Sequence, residues 1–236
     1  MGKKLRQQRR GKGSNVYTKH PGTFDVSVKY NLHRKDIYAE VVGFENSTGH
    51  TAPIMNVVYE DFSEGDMIAP EGITIGSKIH IGGKPVYTLG SAMPISQIPE
   101  GIPIFNIEAK PGDGGKYVRS AGSSAKISGK TDKYVSVVMP SKKAVDLNPR
   151  CMAQLGIIAA GGMDSLPLMK AGKSHYMYHA LNRTWPRNRG VKMNPVDHPF
   201  GGKQHHKGKS ASTSRNAPPG RKVGNIASRR TGRRKK

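Results

Sequence analysis

Asp36-Ile37-Tyr38-Ala39-Glu40-Val41-Val42 decides the fold class. Ile37, Ala39 and Val41 fall on one side of an extended chain, with Asp36, Tyr38 and Glu40 on the other, which is the period-two pattern of a half-buried strand. The pattern recurs along the chain. Residues 53–59 read Pro-Ile-Met-Asn-Val-Val-Tyr. Ile79 and Ile81 alternate with Lys78 and His80, and Phe105, Ile107 and Ala109 with Asn106 and Glu108. Ala125 and Ile127 alternate with Ser124, Lys126 and Ser128, and Val135, Val137 and Met139 oppose Tyr134 and Ser136. Met152–Ala159 is almost wholly apolar. Gly, Pro, Asn or Asp separates most of these runs, and no long helical periodicity intervenes. The expected class is mainly β, built as antiparallel barrels or sandwiches.

At about 65–70 residues per small barrel, Asp25–Met169 holds two. The junction falls in Leu89–Gly101, which carries Pro94 and Pro99. The expected organisation is a basic N-terminal extension over 1–24, a first barrel over 25–90, a second over 91–170, and a basic C-terminal extension over 171–236. Both extensions are expected to be irregular apart from one short helix near Ser174–Asn182. There Tyr176, Met177, Ala180 and Leu181 share a face, and Ser174 serves as N-cap. Pro186, Pro195, Pro199, Pro218 and Pro219 forbid a helical continuation.

The chain has 236 residues with 39 basic and 16 acidic side chains. Residues 1–20 hold seven basic groups and no acid, residues 21–169 hold 14 basic and 15 acidic, residues 170–200 six basic and one acidic, and residues 201–236 twelve basic and no acid. A near-neutral body therefore carries two basic extensions. Beyond residue 200 the only branched aliphatics are Val223 and Ile226, so that segment has little to bury and is expected to be disordered on its own. One charge sign without interspersed acids points to a polyanion partner rather than a solvated face. A membrane surface is not the expected partner, since the N-terminus lacks a myristoylation pattern and no stretch approaches about 18 consecutive apolar residues. Cys151 is the single cysteine, which excludes an internal disulfide and a thiolate metal cluster. With no secretory signal, the expected compartment is the cytoplasm.

Four motifs bear on chemistry. Lys110–Lys126 is glycine-rich, and Lys110, Lys116, Arg119 and Lys126 supply charge. It is either a loop whose backbone approaches phosphate or an ordinary connection between strands. Gly129-Lys130-Thr131 fails as a nucleotide loop, because Ser124 stands where the first glycine is needed and a strand pattern follows. Trp185, among Arg183, Arg187 and Arg189, either stacks on a base or packs internally. His198 lies in Gly190-Val191-Lys192-Met193-Asn194-Pro195-Val196-Asp197-His198-Pro199. Three roles compete for it: a general base, a metal ligand with His205 and His206, and a member of a proline-stiffened loop whose His198 and Asn194 hydrogen-bond RNA. The last is favoured. Asp197 is adjacent and so faces away in an extended chain, and no serine or cysteine nucleophile is identifiable. A DNA-compacting protein and an enzyme using His198 are the alternatives to an RNA-binding structural protein.

The string Gly190–Pro199 closely resembles the signature of the universal large-subunit ribosomal protein L-two family. Asn106-Ile107-Glu108-Ala109-Lys110-Pro111-Gly112, with Gly114-Gly115 and Arg119-Ser120-Ala121-Gly122, resembles a second block of that family, and Ile68-Ala69-Pro70-Glu71-Gly72 a third. The basic start and Phe200 are closer to archaeal and eukaryotic members than to bacterial ones. The resemblance implies an oligonucleotide-binding (OB) barrel followed by an SH3-like barrel, with both extensions threading into rRNA. It implies a non-enzymatic constituent of the large ribosomal subunit beside the peptidyl transferase centre, with roles in subunit association and tRNA placement. Its partners would be large-subunit rRNA, neighbouring ribosomal proteins and the small subunit. No cofactor is implied, any structural Mg2+ being held by the rRNA. Arg119 matches an RNA-contacting arginine of the family, while a second such arginine is replaced by His50.

The candidate rRNA contacts are accordingly Lys3, Lys4, Arg6, Arg9, Arg10 and Lys12 in the N-terminal extension, and His50, Lys110, Lys116, Arg119 and Lys126 in the body. In the C-terminal extension they are Arg183, Trp185, Arg187, Arg189, Lys192, Asn194, His198, Lys203, Arg215, Arg229 and Arg230. Arg119 is expected to offer its planar fork to phosphate or a base edge, with little part in stability.

Overall fold

The computed structural model describes residues 2–18, 26–30, 36–202 and 210–230. It divides into two units, one of residues 21–168 and one of residues 1–20 with 169–236.

The first unit is a ten-stranded sheet. Its strands are β1 (Ile37–Glu45), β2 (Ile54–Tyr59), β3 (Glu64–Ile68), β4 (Lys78–Ile81), β5 (Ala92–Pro94), β6 (Pro103–Phe105), β7 (Ala125–Lys130), β8 (Val135–Val138), β9 (Ala144–Leu147) and β10 (Met152–Leu155). The order is β3-β2-β1-β4-β5-β10-β6-β7-β8-β9. Every pairing is antiparallel except β4 with β5, which touch through Ile81 and Ala92. On β1, Ile37, Ala39 and Val41 are buried and Tyr38, Glu40 and Val42 exposed, as the alternation requires. Irregularities at Val41/Gly43 and Ile127/Gly129 shift the register of β1 and β7 against their partners.

Three apolar clusters hold this unit. One gathers Ile37, Val41, Met55, Met67, Ile79 and Ile81 with others between residues 30 and 92. A second gathers Met93, Ile98, Ile104, Ile107, Ile127 and Val137 with others between residues 93 and 155. The third joins Ile54 and Ile68 to Phe105 and Ile158. Leu89–Gly101 runs through this packing: it contains β5, and Met93, Ile95 and Ile98 are fully buried. Strand β3 lacks a sequence signal because it opens with Glu64, Gly65 and Asp66, and β9 because it is only four residues long and buries Leu147 alone.

The second unit departs from the expected irregularity. Two α-helices are present among the described residues, where the sequence predicts one. Helix α1 (Arg6–Gly11) forms from good helix formers and is closed by Gln8, whose side chain accepts the Leu5 N–H at 2.8 Å. Helix α2 (Ala171–Ala180) starts after Lys170, so Ser174 lies inside it and is not its cap. None of its residues is buried, and the expected apolar face is open, with Tyr176 75% exposed. Tyr176 meets only the neighbouring His175 edge-on, while Tyr178 stacks on Trp185 at 6.2 Å between centroids. Asn182 ends the helix with a positive φ and donates to the carbonyls of Asn15 and Thr18. Near the C-terminus β11 (Ser212–Thr213) pairs in parallel with β12 (Asn225–Ile226).

Candidate nucleic-acid interface

The sequence places two groups of candidate residues in two different settings. In the body the glycine-rich stretch is organised by its own carboxylates. Asp113 accepts the backbone N–H groups of Ala109 (3.0 Å), Lys110 (3.1 Å) and Gly115 (3.2 Å). The fully buried Glu108 accepts those of Gly112 (3.2 Å), Gly114 (3.0 Å) and Met152 (2.9 Å). Burial works to raise the Asp113 pKa, but the three amides and Lys116 outweigh it and hold it below the usual carboxylate value. The amides that would greet a phosphate are thus already bonded to internal anions. Gly115 is required by close packing: with φ near +94°, a Cβ there would lie 2.3 Å from Asn106 Oδ1. Lys110, Lys116 and Lys126 remain exposed.

Arg119 corrects the expectation of a freely presented fork. Its two terminal nitrogens donate to the carbonyls of Gly115 (2.9 Å) and Val28 (3.1 Å), fastening the loop to the segment 26–30. Burial lowers its pKa, with Tyr30 acting in the opposite sense. His50 is half-buried with Nδ1 3.2 Å from Ser47 Oγ. Burial, and then the Arg119 charge, lower its pKa. A guanidinium therefore acts on His50 electrostatically, which favours the neutral imidazole.

In the second unit the His198 loop is built by turns. Asn194 O accepts the N–H groups of Asp197 (2.9 Å) and His198 (3.1 Å), and His198 O accepts that of Gly201 (2.9 Å). The N–H of Phe200 donates to His198 Nδ1 at 3.0 Å, so the neutral ring carries its proton on Nε2 and offers a donor there. Burial lowers the His198 pKa, in keeping with that neutral form. Gly190 lies against the ring face, where a Cβ would come within 2.3 Å of it. Asp197 bonds Lys3 (Nζ–Oδ1 3.4 Å).

His198 lines a cavity of about 220 Å³ together with Arg6, Arg10, Arg187 and Asn188, closed by Leu5, Met193 and Val223. Leu5 and Val223 are the buried apolar residues of this unit among those described. A lone leucine or valine in a basic run is the only trace of that packing in the sequence. Elsewhere in this unit Lys3, Lys4, Arg9 and Lys12 are exposed, as are Arg183, Arg189, Lys192, Asn194, Arg215, Arg229 and Arg230. A hydrogen bond with the Lys12 side chain, and then the Lys12 charge, lower the Lys4 pKa. Trp185 is half-buried against Tyr178 and His175. Lys203, His205 and His206 lie outside the described residues. Among those described, no three His, Cys, Asp or Glu side chains gather to hold a metal. No described helix is long and apolar enough to cross a membrane.

Residues 88–223, well over half the chain, match the family described as Ribosomal Proteins L2, C-terminal domain. The chain belongs to the ribosomal protein L2 family. It is similar along its length to archaeal proteins named large ribosomal subunit protein uL2. It is 44% identical to that of Methanocaldococcus jannaschii, covering all of both chains. It is 41% identical to that of Natronomonas pharaonis, covering 99% of this chain and 97% of the relative, and 42% identical to that of Haloarcula marismortui, covering 99% and 98%. The family is one of ribosomal proteins, so the chain's place is in translation.

Proposed function

We propose that the chain is a non-enzymatic constituent of the large ribosomal subunit that binds large-subunit rRNA, with the cavity around His198 and the surrounding cations meeting folded RNA. One observation carries this. Residues 1–20 and 169–236 hold 25 basic side chains and one acidic, and that one, Asp197, already pairs with Lys3. Such an excess needs an external polyanion, and rRNA phosphates release counterions when they supply it. Arg6, Arg10 and Arg187 around one cavity are suited to phosphate, and the His198 Nε2–H to an RNA acceptor.

In this proposal the body comprises an OB-like barrel over 25–90 and an SH3-like barrel over 91–170. The His198 loop stands near the peptidyl transferase centre, where it supports subunit association, tRNA placement and peptide-bond formation by the rRNA. Neighbouring ribosomal proteins and the small subunit are its protein-side partners, Mg2+ belongs to the rRNA, and the compartment is the cytoplasm. The test is titration of the full chain with a large-subunit rRNA fragment at several salt concentrations. Replacing Arg6, Arg10 or Arg187 by Ala should each lower the log–log salt slope by roughly 0.7–0.9. Slopes unchanged in all three variants would remove the cavity from the interface.

A further inference from the structure

The body carries a surface at odds with the rest of the molecule. Residues 36–77 hold eight acidic side chains and no lysine or arginine, in a chain of net charge +23. The outward row of β1 is also unusual. Ahead of the register shift it reads Tyr38, Glu40, Val42, and its two apolar members are 42% and 56% exposed. A solvated strand face is ordinarily polar. Tyr38, Val42 and Phe62 line an open groove of about 710 Å³ together with Glu40, Glu60 and Lys78. Phe62, in the turn between β2 and β3, is 89% exposed and held at a φ near +62°. That conformation is uncommon for a bulky residue, so the turn keeps an aromatic ring in solvent at a backbone cost.

We infer that this groove docks a short lysine- and arginine-rich segment of another protein. The aromatic rings offer faces to guanidinium groups and their aliphatic stems, and Glu40 and Glu60 supply the counter-charge. RNA does not suit the face, because its phosphates would meet carboxylates with only Lys78 to offset them. A second copy of the chain does not suit it either: a two-fold contact would set Glu40 and Glu60 against their own equivalents. The surface is thus the complement of the basic unit, with one region taking nucleic acid and the other taking protein.

The experiment uses the full chain and a fluorescein-labelled peptide made of arginine, lysine and glycine around a central leucine, with poly-uridylate as the RNA arm. Phe62→Gly removes the ring and suits the left-handed turn, and Glu60→Lys reverses a charge on an exposed side chain. Far-UV circular dichroism verifies that both variants keep the sheet. The peptide should bind the full chain, and each variant should weaken it by about tenfold, the scale of a partly desolvated cation–π contact. Affinity for poly-uridylate should stay within about twofold, as for independent sites. The inference is overturned if the peptide does not bind or if neither variant weakens it. It is equally overturned if poly-uridylate affinity falls in parallel with peptide affinity, which makes the face an RNA surface. Self-association of the full chain abolished by Phe62→Gly would give the groove to a second copy and likewise overturn it. None of these outcomes alters the salt slope carried by Arg6, Arg10 and Arg187, so the two proposals fail separately.

Discussion

Residues 21–168 carry 14 basic and 15 acidic side chains and bury three apolar clusters. Residues 1–20 and 169–236 carry 25 basic and one acidic, and bury Leu5 and Val223 as their only fully enclosed apolar side chains among those described. The first region removes enough apolar surface from water to offset the entropy of ordering its backbone. The second is shaped by turns, a two-strand ladder and two α-helices with no buried residue, each of which adds little burial. Under the proposed function, its conformation is the part that an rRNA polyanion would stabilise by binding the folded form. The difference teaches that one chain can combine a near-neutral body that folds by burial with basic extensions that bury little.

The largest expected effect comes from separating the two. A chain reduced to residues 21–168 loses 25 of 39 basic residues yet keeps all three clusters. It should retain its β-rich circular dichroism while its rRNA salt slope drops by roughly 0.7–0.9 for each phosphate that is no longer neutralised. An unchanged slope would put the phosphate-binding cations in the body and break the comparison.

Within the body, Ile107 is fully buried, and Ile107→Ala should cost about 2–5 kcal/mol in denaturant unfolding. The same kind of truncation in the extensions, Val196→Ala at a 51% exposed site, should stay within about 0.5 kcal/mol. Comparable losses at the two positions would show that the extensions are held by burial after all.

Arg119→Ala should come next, at about 2 kcal/mol, because a charged donor to two carbonyls is removed from a half-buried loop. Thermal unfolding and rRNA titration on the same samples separate its two roles. A melting temperature that does not move, with weakened binding, would return Arg119 to the interface alone. In the extensions, His198→Ala removes the acceptor of the Phe200 N–H and should speed exchange of that amide by about tenfold, equivalent to roughly 1–1.5 kcal/mol. His198→Gln should preserve most protection, since its side-chain oxygen can accept the same bond.

The smallest effect is a pH dependence of the body. Burial lowers the pKa of His80 in spite of Asp36 nearby, and burial with Arg119 lowers that of His50. A folded-state pKa below the unfolded value near 6.5 means that the unfolded chain binds more protons as pH falls. Stability is therefore full above about pH 6.5 and declines below it. His80→Gln should flatten the fall in melting temperature between neutral and mildly acidic pH. An undiminished slope would assign the dependence to other groups.

Seven of the ten body strands are legible in the sequence because alternation marks a strand whose two faces meet different solvents. The other three have physical reasons for silence. β3 opens with Glu64, Gly65 and Asp66, β9 is only four residues long and buries Leu147 alone, and β5 is three residues long and ends in Pro94. The helix near 174–182 is legible as a helix but not in its bounds. The face chosen by spacing points to solvent, and Trp185 packs on Tyr178 instead. Among the candidate residues, the lysines and most arginines of the extensions are exposed, as a charge run requires. The glycine-rich loop can be read two ways, and Glu108 and Asp113 favour the internal connection. Their carboxylates reach amides up to 44 residues away in sequence, which no local pattern encodes.

The sequence by itself determined the fold class, the charge division and the family. These follow from local quantities: the period of apolar residues, the count of ionisable groups and one specific string. Only the tertiary structure decided that Arg119 fastens a loop, that Lys3 is the partner of Asp197, and that Leu5 and Val223 line one cavity with three arginines. Each of these joins residues far apart in the chain. A side chain's role is set by which neighbour satisfies its hydrogen bonds and charge once water is excluded, and that neighbour is chosen by packing rather than by sequence position.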